Sequence, residues 1–383
     1  MRLQDICTVF TDGDWIESKD QSDEGIRLVQ TGNIGEGKYL EKESRAKYVS
    51  EETFERLKCT EIFPGDILVS RLPEPVGRAC IIPNKDERMI TAVDCTICRP
   101  DEAVILKEYL CYFMQSSAYY TRLFGNVTGT TRKRISRKNL GNVELNVPRL
   151  EVQKTVVDRL DRLVSVIESR QKELQLLDDL IKARFVEMFD LDSCRYGTFG
   201  QDTDFVDYRG KTPVLSEAGT IRMVNAKSVG KGYFKDVNEY VTEETYDEWM
   251  HRGYGYPEDV LFVTEGHTFG NTCQVPAYLT KFALGQRVIT IKGHSDVINN
   301  SFLCGYMQTE RFMQDINTYR TGGTAQGIRS KDLMKVQIPL PDYEQQLSFD
   351  RFCKQVDKSK VVVQAALDEV QLLFDSLMQQ YFG

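Results

Sequence analysis

From Val156 onward apolar side chains recur at alternating spacings of four and three residues: Val156, Leu160, Leu163, Ile167, then Leu174, Leu177, Ile181 and Met188, with Arg170 and Arg184 at the two remaining positions. No Gly or Pro interrupts the run. A repeat of about 3.5 residues held this long predicts one helix over 151–190, whose coiled-coil stripe faces a partner helix. At about 1.5 Å per residue it would be roughly 58 Å long, a spacer and not a core element. A second uninterrupted stretch, 343–383, places Phe349, Phe352, Val356, Ser359, Val363, Ala366, Val370, Leu373 and Leu377 at spacings of three and four. Both helices begin alike, since Pro148, Glu151 and Gln153 recur as Pro341, Glu344 and Gln346 at one offset of 193 residues. Each stripe is therefore read as the partner of the other.

The regions ahead of the helices repeat as well. RLVQTGNIGEGKY from Arg27 matches RMVNAKSVGKGYF from Arg222, and YVSEETFERL from Tyr48 matches YVTEETYDEW from Tyr240. FPGDILVSR around Asp66 matches YPEDVLFVT around Asp259, Gly77 matches Gly270, and TGTTRKRISRKNL from Thr128 matches TGGTAQGIRSKDL from Thr321. The order is the same in both copies and the offset stays between 192 and 195. Such self-similarity signals an internal duplication.

Within the first copy, short β-rich runs such as GDILVSR, RACIIP and TAVDCTICR stand between Gly and Pro punctuation, and a helical segment near 106–123 follows. The second copy repeats this with DVLFVT, ALGQRVITIK and a helical segment near 301–317. The predicted fold is mixed α/β, of the α+β kind. Globular domains occupy 1–150 and 191–342, separated by long helices over 151–190 and 343–383. Two domains also suit a chain of 383 residues.

A composition of 41% hydrophobic and 28% charged residues is that of an ordinary globular protein. The start, MRLQDICTVFTDGDW, does not resemble a signal peptide, and no apolar run is long enough for a bilayer, so a cytoplasmic protein with no membrane partner is expected. Ten scattered cysteines then read as reduced, mostly buried thiols. The net charge of −8 argues against nucleic acid. Local charge reverses that inference, because residues 132–138 read RKRISRK.

Few motifs offer chemistry. GNIGEGKY approaches a phosphate-cradling loop, but Tyr39 stands where a hydroxyl residue would hold Mg²⁺, so a glycine-rich turn is the better reading. Cys95 and Cys98 form a lone CxxC inside an apparent strand, and only His251, His267 and His294 could supplement it; buried strand cysteines are expected, and no metal. Asp66 and Asp259 each follow a proline by two residues, as a turn-capping aspartate does. Neither a glycine-rich S-adenosylmethionine loop nor an Asn-Pro-Pro-aromatic tetrapeptide is present. The expectation is a chain without catalytic residues and without a bound cofactor.

The segments after Thr128 and Thr321 differ in kind. Loops with Gly and Thr bring N–H groups and hydroxyls up to phosphate, while Arg and Lys add charge-assisted contacts and counterion release. Thr130, Thr131, Arg132, Lys133, Arg134, Arg137 and Lys138 are the DNA-contact candidates of the first copy; Thr324, Gln326, Arg329 and Lys331 are the sparser set of the second. Arg27, Gln30 and Asn33, with Arg222, Asn225 and Ser228, could present base-reading groups. Arg71 and Arg78 beside the first β-rich run, and Lys227, Thr264 and Asn271 in the second copy, complete the candidate set.

Taken in order, twice over, these features resemble the specificity subunit of type I restriction-modification enzymes, across essentially the whole chain. The resemblance rests on the two-copy layout, the GDILVSR-type run followed by Gly77, the TGTTRKRIS and TGGTAQGIR loops, and the Pro-x-x-Glu-x-Gln start of each long helix. It implies two target-recognition domains held apart by an antiparallel helix pair, each reading one half of a split site in double-stranded DNA. It further implies two methyltransferase subunits carrying S-adenosylmethionine, and restriction subunits that use ATP and Mg. The competing readings are a coiled-coil scaffold that binds only protein and a self-contained nuclease or methyltransferase.

Overall fold

The computed structural model describes every residue except 126, 130–132, 209–211 and 321–325. It divides into two compact units, Met1–Arg170 with Ala366–Gly383, and Gln171–Ala365. Thr130, Thr131, Arg132 and Thr324 lie outside the described residues.

In the first unit the strands Cys7–Asp12, Cys95–Pro100, Ile67–Ser70 and Ala79–Ile81 form an antiparallel sheet in that order. Ile67–Ser70 is buried throughout because both of its faces are covered. Side chains alternate across a strand, so Ile67 and Val69 enter a core shared with helices Lys107–Phe113 and Ser117–Phe124. Leu68, on the other face, packs with Val29, Ile62, Cys80 and Ile97. A second sheet supplies part of that layer, with the order Tyr48–Val49, Ile26–Val29, Met89–Thr91, Glu61–Ile62 and a parallel central pair.

The second unit repeats the plan. Thr203–Asp207, Val288–Gly293, Val260–Val263 and Thr272–Gln274 make the antiparallel sheet, and Tyr240–Val241, Ile221–Val224 and Phe282–Leu284 the smaller one, again with a parallel pair. Val260 and Phe262 face the helical core, Leu261 and Val263 the other. Arg195–Thr198 pairs with Gln337–Leu340, as Arg2 bridges Glu144 in the first unit.

The helical segments expected near 106–123 and 301–317 are each two helices. Lys107–Phe113 is followed by Ser117–Phe124, and Asn300–Met307 by Glu310–Asn317. The break comes from residue chemistry: Ser116 accepts from the N–H of Tyr119 and Thr309 from that of Phe312, so each hydroxyl caps a new helix. Gly77 and Gly270 both have positive φ, and a Cβ at either would strike Leu123 or Met313 in the second helix of the pair. Cys95 and Cys98 are buried on opposite faces of one strand, Cys95 in the inter-sheet layer and Cys98 in the helical core, so they cannot share a ligand; all ten cysteines are free thiols.

The long helices are Leu150–Met188 and Tyr343–Phe382, of 39 and 40 residues. Val156, Leu160 and Ile167 are buried, while Leu163, Leu174, Leu177 and Ile181 are partly so. In the second helix Phe349, Val356 and Val363 are buried and Phe352, Val370 and Leu377 half-buried. Two expected positions shift. Leu373 is 50% exposed, and Phe374 packs into the first unit's core in its place. Ser359 is likewise exposed beside a half-buried Lys360. Here the second position of each heptad falls four residues after the first, not three. In the first helix Phe185, not its neighbour Arg184, is the buried side chain; the Arg184 guanidinium lies over the Phe352 ring.

Gln153 and Gln346, both completely buried, explain the shared helix start. The Gln153 side chain accepts from the N–H of Leu106 at 2.8 Å and donates to the carbonyls of Val104 and Pro148. Gln346 repeats this with the Asn299 N–H at 2.8 Å and the carbonyls of Val297 and Pro341. One amide thus ties the first turn of a long helix to the cap of a helix in the globular core.

The first unit's core is completed by Phe374, Met378 and Phe382 from the last helix. A fragment of residues 1–190 lacks these three, and a second copy could supply Ile181, Phe185 and Phe189 at equivalent positions, with the Phe185 ring forced to repack beside Tyr112. The expected result is a weak, concentration-dependent symmetric dimer. Sedimentation showing only monomer at high micromolar concentration would rule this pairing out.

Candidate functional site

In the first unit Thr128 and Arg134 exchange two backbone hydrogen bonds of 2.9 and 2.8 Å. Ile135 is buried and its N–H donates to the Arg71 carbonyl at 3.2 Å, which pins the segment to the end of the strand Ile67–Ser70. Ser136 then caps the short helix Arg137–Gly141. This anchoring leaves Lys133, Arg134, Arg137 and Lys138 exposed on one edge.

Acidic side chains meet those cations. Arg134 pairs with Asp94 at 3.0 Å, and Arg137 lies 3.8 Å from Asp12. Asp12 also lies 3.4 Å from the buried Arg71 and accepts from the Thr96 hydroxyl at 3.0 Å. Burial pushes the Arg71 guanidinium below its ordinary pKa, and Asp12 opposes the shift. Lys133 stands over the exposed Phe124 ring. Arg137 and Lys138 line an open depression of about 400 Å³ with Gln4, Phe10 and Asp12. The arrangement offers a polyanion several exposed cations on a backbone held from beneath.

At the same place in the second unit the chemistry differs. Ile328 is the buried anchor, bonded to the Thr264 carbonyl at 2.9 Å. The Ser330 hydroxyl bonds to Asp207, the counterpart of Asp12. Arg329 is paired with Asp332 at 2.7 Å, whereas Gln326 and Lys331 are exposed. Hydrogen bonds from Lys335 and Arg329 hold the Asp332 carboxyl below the usual range.

Several of the expected contact residues are engaged in bonds within their own unit. Arg27 is 2% exposed, with its guanidinium on the Tyr48 ring and hydroxyl and 3.6 Å from Glu41. Arg78 is 9% exposed and donates to four carbonyls, those of Thr31, Ile34, Leu72 and Pro75. Asn33 bonds to the Gln30 N–H and the Leu40 carbonyl, and Gln30 is half-buried beside it. Arg222 is held by Asp236, the Val237 carbonyl and Tyr240. Asn225 and Lys227 both bond to Glu239, Asn271 to the Val229 carbonyl, and Ser228 to the Asn225 N–H. Thr264 is 1% exposed. Side chains engaged in this way shape the turns beneath the edge, and contact with a base would require undoing those bonds. Asp66 and Asp259 cap turns, accepting from the N–H groups of Phe63 and Tyr256 at 2.8 Å each, and Asp66 also holds Arg99 through two bonds.

The sequence reading missed Asp12 and Asp94, which carried no motif, and Phe124, whose ring is 78% exposed. Among the described residues no group of His, Cys, Asp and Glu could hold a metal ion, and no helix is long and apolar enough to cross a membrane.

Residues 1–178 match the family model of the type I restriction modification DNA specificity domain. The chain is 20% identical over 383 residues to the putative type I restriction enzyme MjaX specificity subunit of Methanocaldococcus jannaschii, covering 93% of this chain and 85% of that one. It is 24% identical over 195 residues to the HindI specificity subunit of Haemophilus influenzae, covering 50% and 39% of the two chains. Among solved structures, a chain of a type I restriction-modification system aligns with a TM-score of 0.57 at 16% identity, over 100% of this chain and 96% of its own. The S subunit from M. genitalium gives 0.53 at 13% identity, over 100% and 95%, so the fold is shared. With the duplicated layout, these matches make the chain similar over nearly its whole length to the specificity subunits of type I restriction enzymes.

Proposed function

We propose that this chain reads a bipartite site in double-stranded DNA, with 1–150 and 191–342 as recognition domains for one half-site each. The observation that carries this is the same exposed edge occurring twice with different side chains. Arg137 beside Asp12 in one unit corresponds to Ser330 beside Asp207 in the other, and the exposed Lys138 to the exposed Lys331, while Arg134 beside Asp94 has Gly327 at its place. One scaffold with two chemistries suits two different half-sites, since direct readout depends on the donors and acceptors presented to the groove. The helices over 151–190 and 343–383 would set the spacing and dock two methyltransferase subunits, through which restriction subunits join. S-adenosylmethionine, ATP and Mg belong to those partners, and this chain contributes recognition without a catalytic step.

Exchanging residues 1–150 for the equivalent region of another such subunit should change one half of the recognised site and leave the other intact. Selection from random DNA with the assembled complex would show this directly. A swap that altered both halves would mean the two units read DNA jointly. The acidic net charge of −8 favours the alternative of a protein-only scaffold; filter binding of mixed DNA pools, with and without the methyltransferase partner, separates the two.

A further inference from the structure

Two turns at equivalent places carry opposite charges. In the first unit Val93 and Asp94 lie in the turn between the strands Met89–Thr91 and Cys95–Pro100; in the second, Gln286 and Arg287 lie between Phe282–Leu284 and Val288–Gly293. The backbone fixes the equivalence, because the Asp94 carbonyl accepts from the Arg71 N–H at 2.9 Å and the Arg287 carbonyl from the Thr264 N–H at 3.0 Å. Arg71 and Thr264 in turn hold the anchors Ile135 and Ile328, so each turn borders the exposed edge of its unit. Arg287 is hidden in the sequence by the apolar run ALGQRVITIK, whose β pattern conceals the turn.

The ion pair at this place recurs with its charges exchanged. Asp94 meets Arg134 at 3.0 Å, whereas Arg287 meets Glu265 at 3.2 Å and Gly327 stands where the first unit has Arg134. Gly327 is bridged to Glu265 through the backbone, and a Cβ there would lie 3.0 Å from that of Glu265. The cation of the second edge therefore comes from the turn and not from the loop. The geometry of the pair differs too, since Asp94 takes the terminal Nη2 of Arg134 while Glu265 takes Nε of Arg287. Among the described residues the terminal nitrogens of Arg287 donate to no carbonyl, unlike those of Arg78 and Arg222, and the side chain is 53% exposed.

We propose that Arg287 is a base-reading residue of the second unit, that it takes a guanine in the major groove, and that Glu265 is its positioning residue. This rests on the bipartite reading above. A guanidinium matches the O6 and N7 acceptors of guanine with two parallel hydrogen bonds, which requires two adjacent nitrogens free. Glu265 meets that requirement by bonding to Nε, and the bond also sets the direction of the fork. Its charge selects the occupant as well, because a carboxylate 3.2 Å from the guanidinium repels a phosphate but not the neutral edge of a base. The neighbouring Arg329 is held by Asp332, so this edge has little of the cation density on which phosphate contacts depend.

The test is selection from random duplex DNA by the full chain assembled with its methyltransferase subunits, then fluorescence anisotropy on the selected site. The second half-site is the one that exchange of residues 1–150 leaves unchanged. It should carry a guanine, at one position, that Arg287→Ala no longer selects, while the first half stays the same. Affinity for the selected site should fall about tenfold to hundredfold, and affinity for unrelated duplexes should hardly change. Arg287→Lys keeps the charge but loses the fork, so it should lose the guanine too while the salt dependence stays that of the wild type. Glu265→Gln should weaken the guanine preference without abolishing it and raise affinity for unrelated duplexes. A loss in Arg287→Ala that is equal for all sequences, with a salt slope shallower by about 0.9, would make this residue a phosphate contact and overturns the proposal. So does a second half-site with no guanine on either strand, or one that Arg287→Ala leaves unchanged; either result leaves the bipartite reading intact. A wild-type complex that selects no site at all would instead remove that reading, and the proposal with it.

Discussion

Replacing Lys133, Arg134, Arg137 and Lys138 with alanine is expected to weaken binding to duplex DNA of every sequence alike and to flatten its dependence on salt. Phosphate contacts position a protein without reading bases, so the loss should not depend on sequence. Removing one cation from a phosphate should lower the slope of log affinity against log salt by up to about 0.9. The four residues will not contribute equally. Lys133 and Lys138 present ammonium groups over a ring and beside an open depression, so phosphate would displace small cations around the DNA. Arg134 and Arg137 already have carboxylate neighbours in Asp94 and Asp12, and phosphate must compete with those. Their share of the slope should be smaller. By the same reasoning Asp94→Asn should raise non-specific affinity, by about twofold to fivefold, since it frees a cation on an exposed edge. Fluorescence anisotropy between 50 and 200 mM salt, with roughly two unrelated duplexes for comparison, reads both effects. An unchanged affinity and slope in the quadruple variant would remove this edge from the interface.

Gln346→Leu should be strongly destabilising, lowering stability by about 3 kcal/mol or more. Leucine fits the volume but bonds to none of the three partners. The Asn299 N–H and the carbonyls of Val297 and Pro341 would each lose their bond to the completely buried side chain. Each unsatisfied buried group costs about 1–3 kcal/mol, and partial access of water reduces the sum. Gln346→Glu tests the reading from the other side, since a carboxylate accepts from Asn299 but cannot donate to the two carbonyls. Urea unfolding of the full chain, followed by tryptophan emission and far-UV circular dichroism, gives the stabilities. A loss under about 1 kcal/mol for leucine would mean that water takes over the bonds and that the glutamine is not the tie described. Gln153→Leu should act equally, because the same three kinds of group surround it.

Much of the architecture was legible because the repeat preserves order and spacing, and because a proline followed by a glutamine marks each long-helix start. The finer features were not. In the last helix either of two adjacent residues satisfies a spacing of three or four, so the apolar pattern does not distinguish Leu373 from Phe374. What decides is the ring of Tyr112 beside Phe374, a neighbour distant in sequence. Arg27, Arg78 and Arg134 are one residue type with three fates. The first lies on a tyrosine, the second binds four carbonyls, and the third is exposed beside an aspartate. Composition carries no trace of which carbonyls a turn will leave pointing inward. The break at Ser116 and Thr309 was readable in principle, since both are good caps, but the apolar residues on either side continue a helical pattern across it.

The equivalent helices Lys107–Phe113 and Asn300–Met307 carry Tyr112 and Gly305 at the same place, and this unequal pair constrains reassortment between genes of this kind. Tyr112 shares a core with Met378, and Gly305 lies under Phe185. Each match therefore joins a globular region to a stretch of long helix encoded far away in the gene. A crossover that imports a foreign first 150 residues brings a new side chain against the resident Met378. A glycine there would leave a hole, and a tyrosine imported opposite Phe185 would collide with it. Productive exchange should then be limited less by the exposed edges proposed to read DNA than by the fit of one residue in a short helix. New specificities would arise most readily between genes that already agree at this one position.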